Sequence, residues 1–373
     1  MRLRLRPVLA FFFVVVSGCV FVGGEKARPG PERHPSLAQV YAGKFPVGTA
    51  VEPWQLETAE GRLLTWHFNS VVAENVMKPQ SLQPVEGQFD FAAADKIVDF
   101  AARHGMKVRG HTLLWYERTP DWFWQGADGK PASRALVLER LQQHIRTVVG
   151  RYRGRVYAWD VVNEAIDPSQ KNCLRADNWF QYVGADYIDW AFRYAHESDP
   201  SAGMFINDYD TTEPAKRECL LRIVKGLLDR GVPVHGIGHQ MHINIENPSA
   251  QQIDDTLAQF ARLGLVNQIT EMDMSFYTPS LSRLPGSESD LLARQRARFE
   301  ELFNVFLAHP DVTAVTFWGI SDAHTWLNAR QSSVTGDKPL LFDAEQQPKP
   351  AYWGVVNAAS KRKAAFHPEQ SHF

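Results

Sequence analysis

The chain has 373 residues, room for one large α/β domain or two ordinary ones. Hydrophobic residues make up 44% and charged residues 22%, the balance of a globular protein, which excludes a disordered one. The formal net charge is -2 and no block of like charge lies beyond the first six residues, so the basic face that a nucleic-acid partner needs is missing.

The first segment is an address. Arg2, Arg4 and Arg6 make a positive start and Val8 to Val16 an apolar run, so residues 1–19 read as an export signal. The apolar run, ending at Val22, falls short of the roughly 20 residues of a comfortable membrane span. "VSGC" resembles a lipoprotein cleavage box, which makes Cys19 the lipidated first residue of the mature chain; ordinary signal-peptidase cleavage is the alternative. Cys173 and Cys219 then remain, either paired, as export allows, or as two free buried thiols. Residues 20–36, which include "EKARPGPERHPS", read as a flexible Pro-rich tether. From 37 to 358 no internal boundary is visible, and 359–373 read as a polar tail.

Within 37–358 short β-rich runs alternate with helical ones. Strands are predicted at 45–51, 69–75, 107–113, 156–164, 203–209, 234–243, 265–274 and 312–320, eight in all. Helices are predicted at 90–105, with Asp90 as N-cap and Gly105 as stop, at 133–152 opening on Ser133, and at 212–231 and 249–264, both ending on Gly. A short helix-like piece follows Pro350. Strict alternation argues for a parallel sheet, and eight units in one domain argue for a (β/α)8 TIM barrel. A doubly wound open sheet would show a Gly-rich phosphate turn after its first strand, and "VGTAVEPWQ" has none.

In such a barrel chemistry gathers at the carboxyl ends of the strands. Taken in order, those ends offer Glu74, Asn75 and Lys78; His111 and Trp115; Asn163 and Glu164; Asn207 and Asp208; Gln240 and His242; Glu271 and Asp273; Trp318 and Trp326. Alone, Asn-Glu reads as a turn or helix cap, and "GHQMH" as a satisfied core histidine. Polar ends on seven of the eight strands, converging on one face, read instead as a carbohydrate site. No phosphate loop, zinc spacing or nucleophile elbow is present. Asp208 and Asp210 lack the Gly and distal Glu of a calcium loop, so no metal and no cofactor is expected. A pair of Glu residues on separate strands, with Trp platforms, is equipment for glycoside hydrolysis.

These segments also carry a resemblance. "ENVMKP", "RGHTLLW", "WDVVNEA", "FINDYD", "GIGHQMHI", "ITEMDM" and "WGISD", in that order over about residues 37–358, resemble family 10 of the glycoside hydrolases, the endo-β-1,4-xylanases. The resemblance implies a (β/α)8 barrel and hydrolysis with retention of configuration. It makes Glu164 the general acid/base and Glu271 the nucleophile. Asn163 would bind the sugar 2-hydroxyl or help orient Glu271. His242 would hold Glu271 with Asp273 behind it, and Gln240 would share that floor. Glu74, Asn75, Lys78, His111 and Trp115 would line the non-reducing side, and Trp318 and Trp326 would cover the sugar nearest the cut. The implied partners are xylan and xylo-oligosaccharides, bound by a monomer with no nucleic acid, and with membrane contact only through lipid on Cys19. Physically, Gln240 and His242 share a face of strand six, which places an imidazole donor beside Glu271 and keeps that carboxylate ionised. The competing readings are another retaining β-1,4-glycanase, a cellulase or mannanase, and a non-catalytic glycan-binding surface protein.

Overall fold

Five consecutive residues of "VGTAV" and four of "SVVA" are buried, as expected of parallel strands covered on both faces. These runs form β1 (Val47–Val51) and β2 (Ser70–Ala73) in a computed structural model that describes residues 30–330 and 336–365. The export signal, Cys19, the start of the tether and the end of the tail lie outside the described residues. The sheet continues with β3 (Lys107–Trp115), β4 (Ala158–Asn163), β5 (Gly203–Asp208), β6 (Gly236–His239), β7 (His242–Asn244), β8 (Val266–Ser275) and β9 (Val312–Phe317). All neighbours pair in parallel, β9 returns to β1, and β6 pairs β8 directly, so the sheet closes. The sixth of the eight predicted strands is therefore real but broken: it supplies both β6 and β7.

Eight helices of nine residues or more cover the barrel among the described residues: α1 (Ala59–His67), α2 (Ala92–Arg103), α3 (Arg134–Arg151), α4 (Tyr187–Ser198), α5 (Pro214–Asp229), α6 (Ala250–Ala261), α7 (Glu288–Ala308) and α8 (Pro350–Ala365). Ser133 caps α3 by accepting from the Leu136 amide at 3.3 Å, and Ser249 caps α6 in a reciprocal pair with Gln252. Helix α8 runs past residue 358 into the stretch read as tail. Residues 30–36, read as the end of the tether, are also packed: the Trp66 indole donates to the His34 carbonyl at 2.9 Å, and Ser36 donates to the Trp66 carbonyl at 2.5 Å.

The barrel interior is polar at its centre. Arg109, 1% exposed, forks onto Asp160 and donates to Gln268 at 2.5 Å, with the Phe205 ring under its guanidinium at 4.7 Å. Removing either partner of this pair would strand a buried charge, at a cost of about 3–5 kcal/mol. Outside the sheet the apolar layer is continuous, and Trp159 is fully buried in it. Gly110 on β3 makes room for that indole: a Cβ there would lie 2.1 Å from a ring carbon of Trp159.

Candidate active site

Strand β4 ends at Asn163, and the next residue leaves the sheet in the left-handed region, with φ 59° at Glu164. For a non-glycine residue this conformation costs of order 1–3 kcal/mol. Several contacts hold it. The Glu164 amide donates to the Asn207 carbonyl at 2.9 Å, and its carbonyl accepts from the Arg175 guanidinium at 3.0 Å. Its carboxylate accepts from the Trp115 indole at 3.0 Å, the Gln240 amide at 3.1 Å and the Asn163 amide at 3.2 Å. The side chain is thus fixed from β3, β4 and the break after β6.

Glu271 lies on β8 and is 4% exposed. One carboxylate oxygen accepts from the Asn207 amide at 2.8 Å; the other meets His242 Nε2 at 3.1 Å. Burial alone would raise its pKa, but the His242 hydrogen bond and the charges of His111 and His242 win, and it is held below the usual range. His242 in turn bonds Asp273 through Nδ1 at 2.8 Å, and the Trp326 indole donates to the same Asp273 oxygen at 2.7 Å. Burial opposes a charge on His242, yet the two carboxylates, Asp273 first, push its pKa up to about 10. The imidazole therefore stands as a cation between two anions.

One expectation needs correction here. Gln240 and His242 do not share a face of one continuous strand. Met241 takes φ 61°, which ends β6 and starts β7, so Gln240 turns to Glu164 while His242 turns to Glu271. Asn163, expected to bind a sugar hydroxyl or to help orient Glu271, meets that acid through Asn207. It donates to Glu164 and accepts from Asn207 at 2.8 Å, while Asn207 alone of the two amides reaches Glu271. Asn207 stands out in the sequence as a polar strand end, but its role is carried by its neighbour: a Cβ on Gly238 would fall 2.2 Å from the Asn207 side-chain oxygen. The alternating glycines of "GIGH" clear space for Phe205 and Asn207 on β5.

The remaining candidates converge on the same end. Lys78 donates to Asn75 at 2.8 Å and lies 5.0 Å from the Trp115 ring centre. Asn75 donates to Glu52 at 2.7 Å. Burial and then the charge of Glu52 raise Glu74 to about 7. His111, 2% exposed, is bonded to Asp160 at 3.0 Å, beneath Glu271 rather than on an open wall. Trp318 packs edge-on to His111 at 5.3 Å, and Trp326 sits 4.8 Å from His242. Arg175 escapes a reading of strand ends because it comes from a loop, whereas Glu52 directly follows β1, at the strand end from which no candidate was drawn. Arg175 also donates to the Tyr209 hydroxyl at 2.9 Å and stacks on Tyr116 at 4.3 Å. Its loop is tied to α5 by a disulfide between Cys173 and Cys219, which resolves the alternatives for these thiols. Among the described residues no cluster of His, Cys, Asp or Glu has the arrangement of a metal site.

The chain can be compared with known proteins on this geometry. Residues 36–358 match the family described as Glycosyl hydrolase family 10. The chain belongs to this family. It is 44% identical over 327 residues to endo-1,4-beta-xylanase B of Paenibacillus barcinonensis, a match covering 86% of this chain and 98% of that protein. The crystal structure of xylanase XynB from Paenibacillus barcinonensis superposes with a TM-score of 0.83 over 87% of this chain and 98% of that one, at 44% identity. A xylanase from Thermoanaerobacterium saccharolyticum, solved as a mutant in complex with xylotetraose, is 44% identical with a TM-score of 0.80, covering 86% of this chain and 98% of that one. Membership of a glycosyl hydrolase family agrees with the paired carboxylates at the mouth of this barrel.

Proposed function

We propose that this family 10 member is an endo-1,4-β-xylanase that cleaves internal bonds of xylan with retention, by double displacement on Glu271 and Glu164. The observation that carries the reading is the amide bridge between the two acids: Glu164 accepts from Asn163, Asn163 accepts from Asn207, and Asn207 donates to Glu271. It fixes two carboxyls of unlike environment across one cleft, as retaining hydrolysis requires. Glu271, kept ionised by His242, attacks the anomeric carbon. The glycosidic oxygen leaves with the proton of Glu164. Glu164 then takes a proton from water, whose oxygen displaces Glu271 and restores both groups. General-acid help of about 10²–10⁴ in rate is roughly 3–5 kcal/mol off the barrier. The named activities of the relatives support xylan as substrate.

The test is proton NMR of the first-formed anomer from xylohexaose, with carboxymethylcellulose as the competing polymer. The β-anomer should appear first, and xylan should be cut much faster than carboxymethylcellulose. Glu271→Ala should lose turnover of both xylan and activated aryl xylosides, whereas Glu164→Ala should lose the first far more than the second. An α-anomer as first product, or equal modest losses in both variants, sinks the mechanism. Faster hydrolysis of carboxymethylcellulose sinks the substrate.

Export with lipidation at Cys19 belongs to the same proposal. The Cys173–Cys219 disulfide supports export, because such bonds persist in oxidising compartments, while lipidation rests on "VSGC". Incorporation of labelled palmitate that disappears in Cys19→Ala is the expected result; equal incorporation, or none in the wild type, refutes it.

A further inference from the structure

Among the described residues large exposed aromatics are uncommon, and one of them stands beside the cleft. Trp54 is 51% exposed. It lies on the turn Pro53–Glu57 that follows the carboxyl end of β1, the end at which the active site is built. Its ring stands at 79° to the His324 imidazole, with centres 4.6 Å apart. His324 is itself half open to water, with 47% of its side chain exposed.

This aromatic pair is braced from beneath. Glu60, 1% exposed, accepts from Ser321 at 2.6 Å and from Gln55 at 3.0 Å, and meets His324 Nδ1 at 3.1 Å. Gln55 also accepts from the Glu52 amide at 2.7 Å, and the Glu52 carboxylate accepts from Asn75 at 2.7 Å. The bonded path therefore runs unbroken from Asn75 in the cleft, through Glu52, Gln55 and Glu60, to His324. Trp54 sits in sequence between Glu52 and Gln55. At the other end, His324 is two residues before Trp326, which holds Asp273. These bonds hold the residues on either side of Trp54 and the His324 ring against it, so part of the cost of ordering this half-bare indole is met before any ligand arrives.

We propose that Trp54, backed by His324, is a stacking platform for a xylosyl unit of a long substrate, beyond the sugars that the buried cleft residues hold. The inference rests on the xylanase reading and adds a residue that grips chain length. A pyranose face is apolar and suits an indole, and an exposed apolar surface continuous with a site is where a ligand extends. The other large exposed indole, Trp190, sits on the outer helix α4 and is tied to Asp186, away from any such path.

The experiment measures kcat and KM on xylohexaose and on an aryl β-xylobioside for wild type, Trp54→Ala and Trp54→Phe. For Trp54→Ala, KM on xylohexaose should rise by about 3- to 10-fold with kcat kept, and the aryl xylobioside should be unaffected. Trp54→Phe should restore most of the loss. An equal loss on both substrates means that Trp54 only supports the fold, and unchanged KM on xylohexaose means that no sugar rests there; either overturns the platform. If the wild type leaves xylohexaose intact but cuts cellohexaose, the xylanase reading fails, and the same comparison on cellohexaose still decides the platform.

Discussion

Replacing His242 with Gln tests the electrostatics of the site most directly, because Gln keeps a hydrogen-bond donor and removes the charge. The rise of the imidazole from 6.5 to about 10 corresponds to about 5 kcal/mol at about 1.4 kcal/mol per pH unit. Because 18% of the side chain is open to water, we take roughly half of this, about 2–3 kcal/mol. Asp273 provides the larger share, which leaves about 1 kcal/mol for the interaction with Glu271. Glu271 is held low by the same contact, so its carboxyl should move up toward the ordinary range when the charge is gone. In a pH profile of kcat/KM on xylohexaose, the acid limb should shift upward by about one pH unit. Loss of a charged hydrogen bond to the nucleophile should also lower kcat by about 10- to 100-fold. The folded pKa of His242 is raised, so its contribution to stability is full below 6.5 and fades as pH climbs through about 10. The melting-temperature gap between wild type and variant should therefore narrow on the alkaline side. An unchanged acid limb together with near wild-type kcat would refute the reasoning.

Two further substitutions probe the surroundings. Glu74 has its folded pKa raised from 4.5 to about 7, so it destabilises progressively as pH rises across that interval; Glu74→Gln should gain stability over wild type in melts at pH 8 and much less at pH 4. A constant difference between the two would discount the burial of that carboxyl. Cys173→Ser opens a crosslink spanning 46 residues, and chain entropy puts the loss at about 2–4 kcal/mol in denaturant titrations. Full stability of wild type after reduction by dithiothreitol would contradict that.

The strands were legible because parallel, doubly covered strands are near-continuous apolar runs, as in "VGTAV" and "SVVA". Helices with a Ser cap or a terminal Gly were legible for the same local reason. Helix α4 was not: Asp186, at its N-cap, makes no side-chain capping bond. Helix α7 carries a capping box at Ser287, but its run of Arg and Glu hides the apolar face. At the site, Asn163, Glu164, His242 and Glu271 were visible as polar residues ending apolar strands, and they do meet. Which amide serves which acid was not visible, because it depends on a left-handed residue at Met241 and on the missing side chain at Gly238. Arg175 reaches the site from a loop, and no periodicity marks a loop residue for such a contact, whereas Glu52 directly follows β1 and was open to the same reading as Glu164.

The wall around Glu164 has a consequence for where its proton can go. Among the described residues, the hydrogen bonds to this carboxyl come from the Trp115 indole and the Asn163 and Gln240 amides, each of which turns an N–H toward it. A proton on Glu164 thus finds no taker in those contacts. The bridge onward to Glu271 is made of neutral amides, which do not ionise near neutral pH and so act as an insulator between the two acids. Among the described residues, the outlet that remains is the open side, where a glycosidic oxygen or a water would lie. The same donors that hold Glu164 in place therefore also give its chemistry a single direction.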